Sequence, residues 1–242
     1  MSNWVNCYPS FCIYWGNGFF CMTGNSVMMK SYDERMRIER AEEIYKIVNR
    51  LAQPPTPAEM DAIQDYITAG ADLERRYNDG NNETVLKIAI TREYTAAALL
   101  LLKNGADMNA RCGNQEITPF IWAAMKGDNE VLKAMLDSGK APPPDRDNYD
   151  ALDNGRMTAL MCAARSGRND TALTLIAHGA DIYLRNDKGF SSINFAQNSA
   201  IADEMESFWH KLSVEREAEQ LKNGIAKPVS VMRPLQLKRG TP

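Results

Sequence analysis

The sequence predicts an all-α solenoid, in which pairs of short helices stack side by side and are joined by hairpin loops. A box of apolar and small residues that opens with a hydroxyl residue recurs at Thr84, Thr118, Thr158 and, in a weaker form, Ser191. These positions are 34, 40 and 33 residues apart. Glycines that would end the second helix of each pair recur at a similar spacing, at Gly70, Gly105, Gly139 and Gly179. Two markers with one period indicate a repeat array rather than a single central core.

The period and the box resemble the ankyrin repeat, whose units span about 33 residues and carry a Thr-Pro-Leu-His-x-Ala pattern. The clearest copy is residues 118–124, which read TPFIWAA. Gly-Ala-Asp follows the copies that open at Thr84 and Thr158, at residues 105–107 and 179–181. The resemblance covers roughly residues 38–212. It implies about five repeats, of which the two outer ones are degenerate caps.

The first repeat is predicted by its helix signals. Residues 32–51 carry apolar side chains at steps of three to five among many charges, which favours a capping helix with one face in water. The Pro-Pro pair at 54–55 ends this helix. Thr56 and Glu59 then form the capping box of a second helix, and Gly70 supplies the left-handed residue that stops it.

The three middle repeats are the best formed. Thr84, Thr118 and Thr158 each precede a short apolar helix, where a hydroxyl group can accept hydrogen bonds from free amide N–H groups. About six residues are inserted within 141–153, between the third and fourth repeats, and they include three prolines. Proline cannot donate to a β-ladder. We therefore expect this connecting finger to be longer than its neighbours and irregular.

We predict three parts of the chain: residues 1–30 as a non-homologous, disordered leader, residues 31–212 as the repeat domain, and residues 213–242 as a helical extension with a disordered tail. The first 27 residues contain no Lys, Arg, Asp or Glu. They lack the basic start and the continuous apolar core of a secretory signal. Translation that begins at Met28 or Met29 is an alternative explanation for this stretch.

The composition and the motifs predict a protein without catalytic chemistry. The chain has two histidines and five cysteines, and neither type occurs at a spacing typical of metal ligands or of a nucleophile with its base. We therefore expect no enzyme activity, no cofactor and no metal. A net charge of −3 favours neither nucleic acid nor a membrane as a partner. The odd number of cysteines favours a reducing, cytoplasmic location.

Binding is expected on the surface that the resemblance implies, namely the concave groove lined by the first helices and the tips of the fingers. The predicted groove residues are Thr91, Arg92, Met125, Lys126, Arg165 and Ser166. Tyr and Arg dominate interface energetics, which adds four finger residues, Tyr77, Arg111, Tyr149 and Arg185. The three cations Arg92, Lys126 and Arg165 are assigned to corresponding positions, where a basic stripe would fit an acidic peptide or protein. Ordinary solvated charge is the other interpretation of this stripe.

The resemblance implies a non-enzymatic protein–protein interaction module, a scaffold or adaptor, which we expect to be monomeric. Two other functions stay open at this point. One is a secreted or translocated effector that acts on a host protein, with its signals in the N-terminal stretch or the tail. The other is an enzyme whose chemistry lies in residues 1–27.

Overall fold

The computed structural model describes residues 12–15, 18–21, 32–50, 53–77, 82–113, 117–141, 148–151 and 155–222. Within these ranges the helices are α1 (Tyr32–Val48), α2 (Pro57–Thr68), α3 (Val85–Thr91), α4 (Thr95–Lys103), α5 (Pro119–Lys126), α6 (Asn129–Asp137), α7 (Ala159–Arg165), α8 (Asn169–Ala177), α9 (Ser192–Phe195) and α10 (Ser199–Lys222). The strands are β1 (Cys12–Trp15), β2 (Gly18–Cys21), β3 (Asn148–Ala151) and β4 (Gly155–Thr158).

The helices form successive pairs that stack into two rows. The first helices α3, α5, α7 and α9 contact one another in order, and the second helices α4, α6, α8 and α10 do the same. One cluster of buried apolar side chains extends from Ile44 in α1 to Met205 in α10. Each pair therefore buries its apolar face on its neighbours, and the predicted all-α solenoid is confirmed.

The predicted caps at the box threonines are present. The hydroxyl oxygen of each threonine accepts a hydrogen bond from the backbone N–H three residues later. The N···O distances are 3.5 Å at Thr84, 3.2 Å at Thr118 and 3.3 Å at Thr158. All three threonines are buried, so no solvent is available to replace the lost bond. The box threonines therefore fix where the first helix of each middle repeat begins.

The predicted capping box at the start of α2 is also present. Thr56 Oγ1 accepts from the Glu59 backbone N–H at 3.4 Å, and the Glu59 carboxylate accepts from the Thr56 backbone N–H at 2.8 Å. Arg50 forms an ion pair with the same carboxylate, with an N···O distance of 2.6 Å. The Thr56 N–H and hydroxyl groups, followed by Arg50, hold the pKa of Glu59 below its ordinary value.

The fingers differ in how much β structure they contain. In the described part of the first two fingers, single bridges pair Tyr77 with Glu83 and Cys112 with Ile117. The third finger instead contains a hairpin in which β3 and β4 pair over four residues each. The irregular finger predicted here is therefore partly regular. Its three prolines lie outside the described residues, in the segment that precedes β3.

The two ends of the chain lie only partly within the described residues. In the predicted leader, β1 pairs with β2 in an antiparallel hairpin, and the role of this segment stays a prediction. At the other end, α10 continues through residue 213 as one helix of 24 residues. Arg216 in α10 donates from Nη2 to the carbonyl oxygens of Ile176 at 3.3 Å and Ala177 at 2.9 Å. These carbonyls lie at the C-terminal end of α8, where the negative end of the helix dipole favours a cation.

We predict that Thr158→Ala lowers the free energy of unfolding by about 1 kcal/mol, because the N–H of Met161 loses its acceptor in a buried site. Urea unfolding of the full chain followed by circular dichroism measures the change. Thr158→Ser keeps the hydroxyl group and is the matched control. A loss in the serine variant as large as that in the alanine variant would contradict a capping role.

We predict that Glu59→Gln destabilises the protein at neutral pH and loses this effect in acid. A carboxyl whose folded-state pKa is lowered contributes stability above its unfolded-state pKa, and this contribution disappears as the pH falls through the folded-state value. Urea unfolding of both proteins at pH 7 and at pH 3 tests this. The gap in midpoint between them should shrink at pH 3, and a constant gap would refute the assignment.

Candidate functional site

The accessible side chains of the first helices lie on one face of their row, which we call the inner face. Most residues of α3, α5 and α7 are buried. Between the start of each of these helices and the residue after its end, the side chains that are not buried are Thr91, Arg92, Trp122, Met125, Lys126, Arg165 and Ser166. Six of these seven are the groove residues predicted from the sequence. The structure therefore places the predicted groove residues at the surface, and their role in binding stays a prediction.

Trp122 is the groove residue that the sequence reasoning missed. With Met125 and Lys126 it forms the accessible face of α5, since residues at i, i+3 and i+4 lie on one side of a helix. Its indole N–H is enclosed and has no hydrogen-bond partner among the described residues. The polar N–H of Trp122 is therefore not part of its accessible surface. A partner would contact the apolar part of the ring.

A buried lysine lies beside Trp122. The Lys87 side chain is only 5% exposed, and its Nζ is 2.8 Å from Glu83 Oε1. The same Nζ lies 5.0 Å from the centroid of the Trp122 ring, within the range of a cation–π contact. The ion pair and the ring together compensate the charge that burial removes from water. Lys87 therefore fixes the Trp122 side chain from the neighbouring repeat.

The burial of Lys87 could have been predicted from the repeat register. Lys87 is three residues after its box threonine, and the same position holds Ile121 in the third repeat and Met161 in the fourth. Both of these apolar residues are buried. A lysine in this position needs an anion nearby, and Glu83 four residues earlier on the chain supplies it.

Two of the three cations of the predicted basic stripe contact the preceding repeat. Arg92 donates from Nη2 to Asn49 Oδ1 at 3.0 Å, in the preceding repeat. Lys126 pairs with Glu93, again in the preceding repeat, at 3.5 Å. These two cations therefore connect neighbouring repeats. Glu93 balances the charge of Lys126, whereas Asn49 is neutral and only orients Arg92. A binding role for either cation stays a prediction.

Arg165 differs from the other two cations in position and in environment. It is seven residues after its box threonine, whereas Arg92 and Lys126 are eight after theirs. One residue along a helix is a rotation of about 100°, so Arg165 shares the register of Thr91 and Met125. It is exposed and forms no ion pair with any residue that the structure describes. Arg165 is the groove cation that remains available.

Tyr77 lies in the core rather than at a finger tip. It is 7% exposed, and its hydroxyl donates to the Ala41 carbonyl at 2.6 Å. Its ring stacks on Tyr45 of α1, with centroids 4.0 Å apart. Burial raises the pKa of Tyr77 above its ordinary value. Tyr77 therefore attaches the first finger to α1, and the prediction that it contacts a partner is wrong because its surface is already covered.

The other three predicted finger residues occupy different settings. Arg111 is exposed next to the bridge of the second finger. Tyr149 lies in β3, where its backbone is opposite Met157. Arg185 is exposed, and its Nη1 donates to the Gly189 carbonyl at 2.7 Å, which closes the fourth finger on itself. Arg111 and Arg185 are therefore surface residues, and a binding role for either stays a prediction.

The described residues offer no evident centre for metal chemistry. In this part of the chain, no group of three or more His, Cys, Asp and Glu side chains could hold a metal ion. Cys112 and Cys162 are both buried, and neither forms a disulfide with a described residue. Across the same residues, no helix has the length and apolar character needed to cross a membrane.

The fold and the accessible inner face define a stacked helical repeat protein of the kind that presents an extended binding surface. Residues 110–186 match the family model described as "Ankyrin repeats (3 copies)". These residues are ankyrin repeats, and the resemblance seen in the sequence is confirmed. Ankyrin repeats generally mediate protein–protein interactions and are typically non-catalytic.

Two curated relatives share part of this chain. It is 31% identical over 141 residues to alpha-latrocrustotoxin-Lt1a from Latrodectus tredecimguttatus. The matched region covers 58% of this chain and 9% of the toxin. It is 28% identical over 149 residues to the B-cell lymphoma 3 protein homolog from Mus musculus. The matched region covers 61% of this chain and 31% of that protein. The chain thus spans less than a third of the length of either relative.

We predict strong coupling between Lys87 and Glu83 in a double-mutant cycle of Lys87→Met and Glu83→Gln. Removal of one partner leaves a poorly solvated charge, so the coupling energy should exceed about 1 kcal/mol, against about 0.2–1 kcal/mol for exposed pairs. Urea unfolding of the four proteins gives this energy. The exposed pair Lys46–Glu43 in α1 is the matched control, since its side chains are 64% and 46% exposed. Equal coupling in the two pairs would contradict the prediction.

Proposed function

We propose that this chain is a non-enzymatic adaptor that holds a protein partner against the accessible face of its first helices. One observation supports this most: Trp122, a residue type enriched in interface hot spots, lies partly exposed in the middle repeat of the array. Met125 beside it extends an apolar centre. Arg165 at the next repeat supplies a cation that forms no ion pair with a described residue. An apolar centre with a polar rim is the usual anatomy of a protein interface.

The rigidity of this face favours specific binding. Lys87 holds Trp122 from below, and Arg92 and Lys126 link the surrounding repeats, so few side chains must be ordered when a partner binds. Binding by a preorganised surface costs less conformational entropy than binding by a mobile one. The partner we infer has an apolar side chain for Trp122 and Met125 and an acidic group for Arg165.

We propose that the adaptor is a cytoplasmic monomer. The chain has an odd number of cysteines, five, which favours a reducing compartment. The alternative is a secreted or translocated effector. Similarity to a toxin does not favour it, since a similar share of the chain also matches the B-cell lymphoma 3 homolog. Export that depends on residues 224–242 would support the effector instead.

We predict that Trp122→Ala weakens partner binding by at least about thirtyfold, which corresponds to a hot-spot loss of about 2 kcal/mol. The full chain serves as bait in lysate of the source cells, and the captured partner is then titrated by calorimetry. Arg165→Glu should also weaken binding, and this exposed substitution leaves the core intact. Lys133→Glu in α6 is the matched charge control and should bind as the parent chain does.

Thermal unfolding confirms that each variant is folded before it is compared. Unchanged affinity in both Trp122→Ala and Arg165→Glu would overturn the inner-face site and direct attention to the fingers. Arg92→Gln provides a further contrast. It should lower the unfolding temperature, because Arg92 links two repeats, while the affinity of the folded protein stays close to that of the parent chain.

A further inference from the structure

A crevice of about 200 Å³ opens between the second helices of repeats two and three, away from the inner face described above. Its apolar walls come from Leu99 and Leu102 of α4, Met108 of the following turn, and Ala134 of α6. Two lysines, Lys103 and Lys140, stand at its edge. This volume is suited to one branched or aromatic side chain.

The crevice exists because one side chain is small. Ala134 is 16 residues after its box threonine, and the same position holds Leu100 in the second repeat and Thr174 in the fourth. Because alanine is smaller than leucine or threonine, Ala134 does not cover the neighbouring side chains of α4. Leu99 and Leu102 are accordingly only partly buried. The space is therefore a property of one residue in one repeat, and a substitution can close it.

Among the residues that line the crevice, only Lys103 and Lys140 are charged. Neither Lys103 nor Lys140 forms an ion pair with a residue that the structure describes. Ser138, the remaining polar side chain of the lining, is already used: its hydroxyl donates to the Met135 carbonyl at 2.6 Å and accepts from the Lys140 N–H at 3.2 Å. Asn109 donates to the Lys140 carbonyl at 3.3 Å and so fixes the backbone of this edge.

We propose that this crevice is a second protein-binding site that takes an apolar side chain next to a carboxylate of a partner. The apolar group would fill the space above Ala134, and the carboxylate would lie between the two lysines. The site is independent of the inner face, because its residues belong to α4, α6 and the turns after them. An adaptor with both sites would hold two partners at once.

The proposal is tested with 4-methylpentanoate, which joins a leucine-like isobutyl group to a carboxylate. The full chain is titrated with it, and the methyl NMR signals of Leu99, Leu102 and Met108 are followed. A ligand of this size binds with a dissociation constant in the millimolar range. We expect 4-methylpentanamide, the neutral isostere, to bind about fivefold more weakly, because it lacks the charge that the lysines attract.

Three variants separate the contributions. Ala134→Leu should close the crevice and weaken binding at least about tenfold, and the leucine at the same position of repeat two shows that the array accommodates it. The double variant Lys103→Gln/Lys140→Gln changes exposed residues only and should make acid and amide bind equally. Lys133 is an exposed lysine of α6 that does not line the crevice. The control variant Lys133→Gln should therefore preserve the preference for the acid.

Each remaining outcome overturns the proposal. The absence of shifts at the three reporters up to about 50 mM ligand, well above the range expected for a fragment of this size, means that the crevice takes no such group. Equal binding of acid and amide to the parent chain removes the role of the lysines. Shifts that sodium acetate reproduces without the isobutyl group indicate an adventitious ion only. Binding that persists in a folded Ala134→Leu protein places the ligand elsewhere.

Discussion

The close approach of neighbouring first helices determines the surface of this protein. The row is lined by five box alanines that are at most 1% exposed: Ala89, Ala123, Ala124, Ala163 and Ala164. A larger side chain at any of these positions would push two repeats apart, and packed cores tolerate such insertions poorly. Because the helices are held at one separation, the side chains left outside keep a fixed order along one face. The position of Trp122 relative to Met125 and Arg165 follows from this packing.

The features predicted correctly from the sequence are those that depend on residues close together along the chain. A threonine cap needs only the N–H three residues later, and the position of a residue within the box decides whether it faces the core. The caps at Thr84, Thr118 and Thr158 and the exposure of the groove residues belong to this class. The burial of Lys87 also follows from its position in the box, because the same position holds a buried apolar residue in the next two repeats.

The features that were missed depend on contacts between repeats. The sequence correctly places Tyr77 in a finger. Its burial comes from contact with α1, whose Ala41 is 36 residues earlier in the chain. The sequence shows that Arg92 and Lys126 are cations. It does not show that Asn49 and Glu93 of the preceding repeats contact them. Periodicity within one repeat carries no information about which side chain of the next repeat it will meet. A charge in a groove thus indicates a partner only after the contacts inside the array are known.

The contact between Arg216 and the end of α8 holds the C-terminal helix on the array. α10 contacts both α8 and α9. At the opposite end α1 contacts both α2 and α3, and Tyr77 of the first finger bonds to it. Each terminal helix must therefore leave two neighbouring helices before the array opens from that side. Because each repeat of such an array is stabilised by its neighbours, structure is lost stepwise from the ends. A proteolytic machine that pulls on this protein would thus meet resistance at either end, and the inner face would survive longest in the middle repeats.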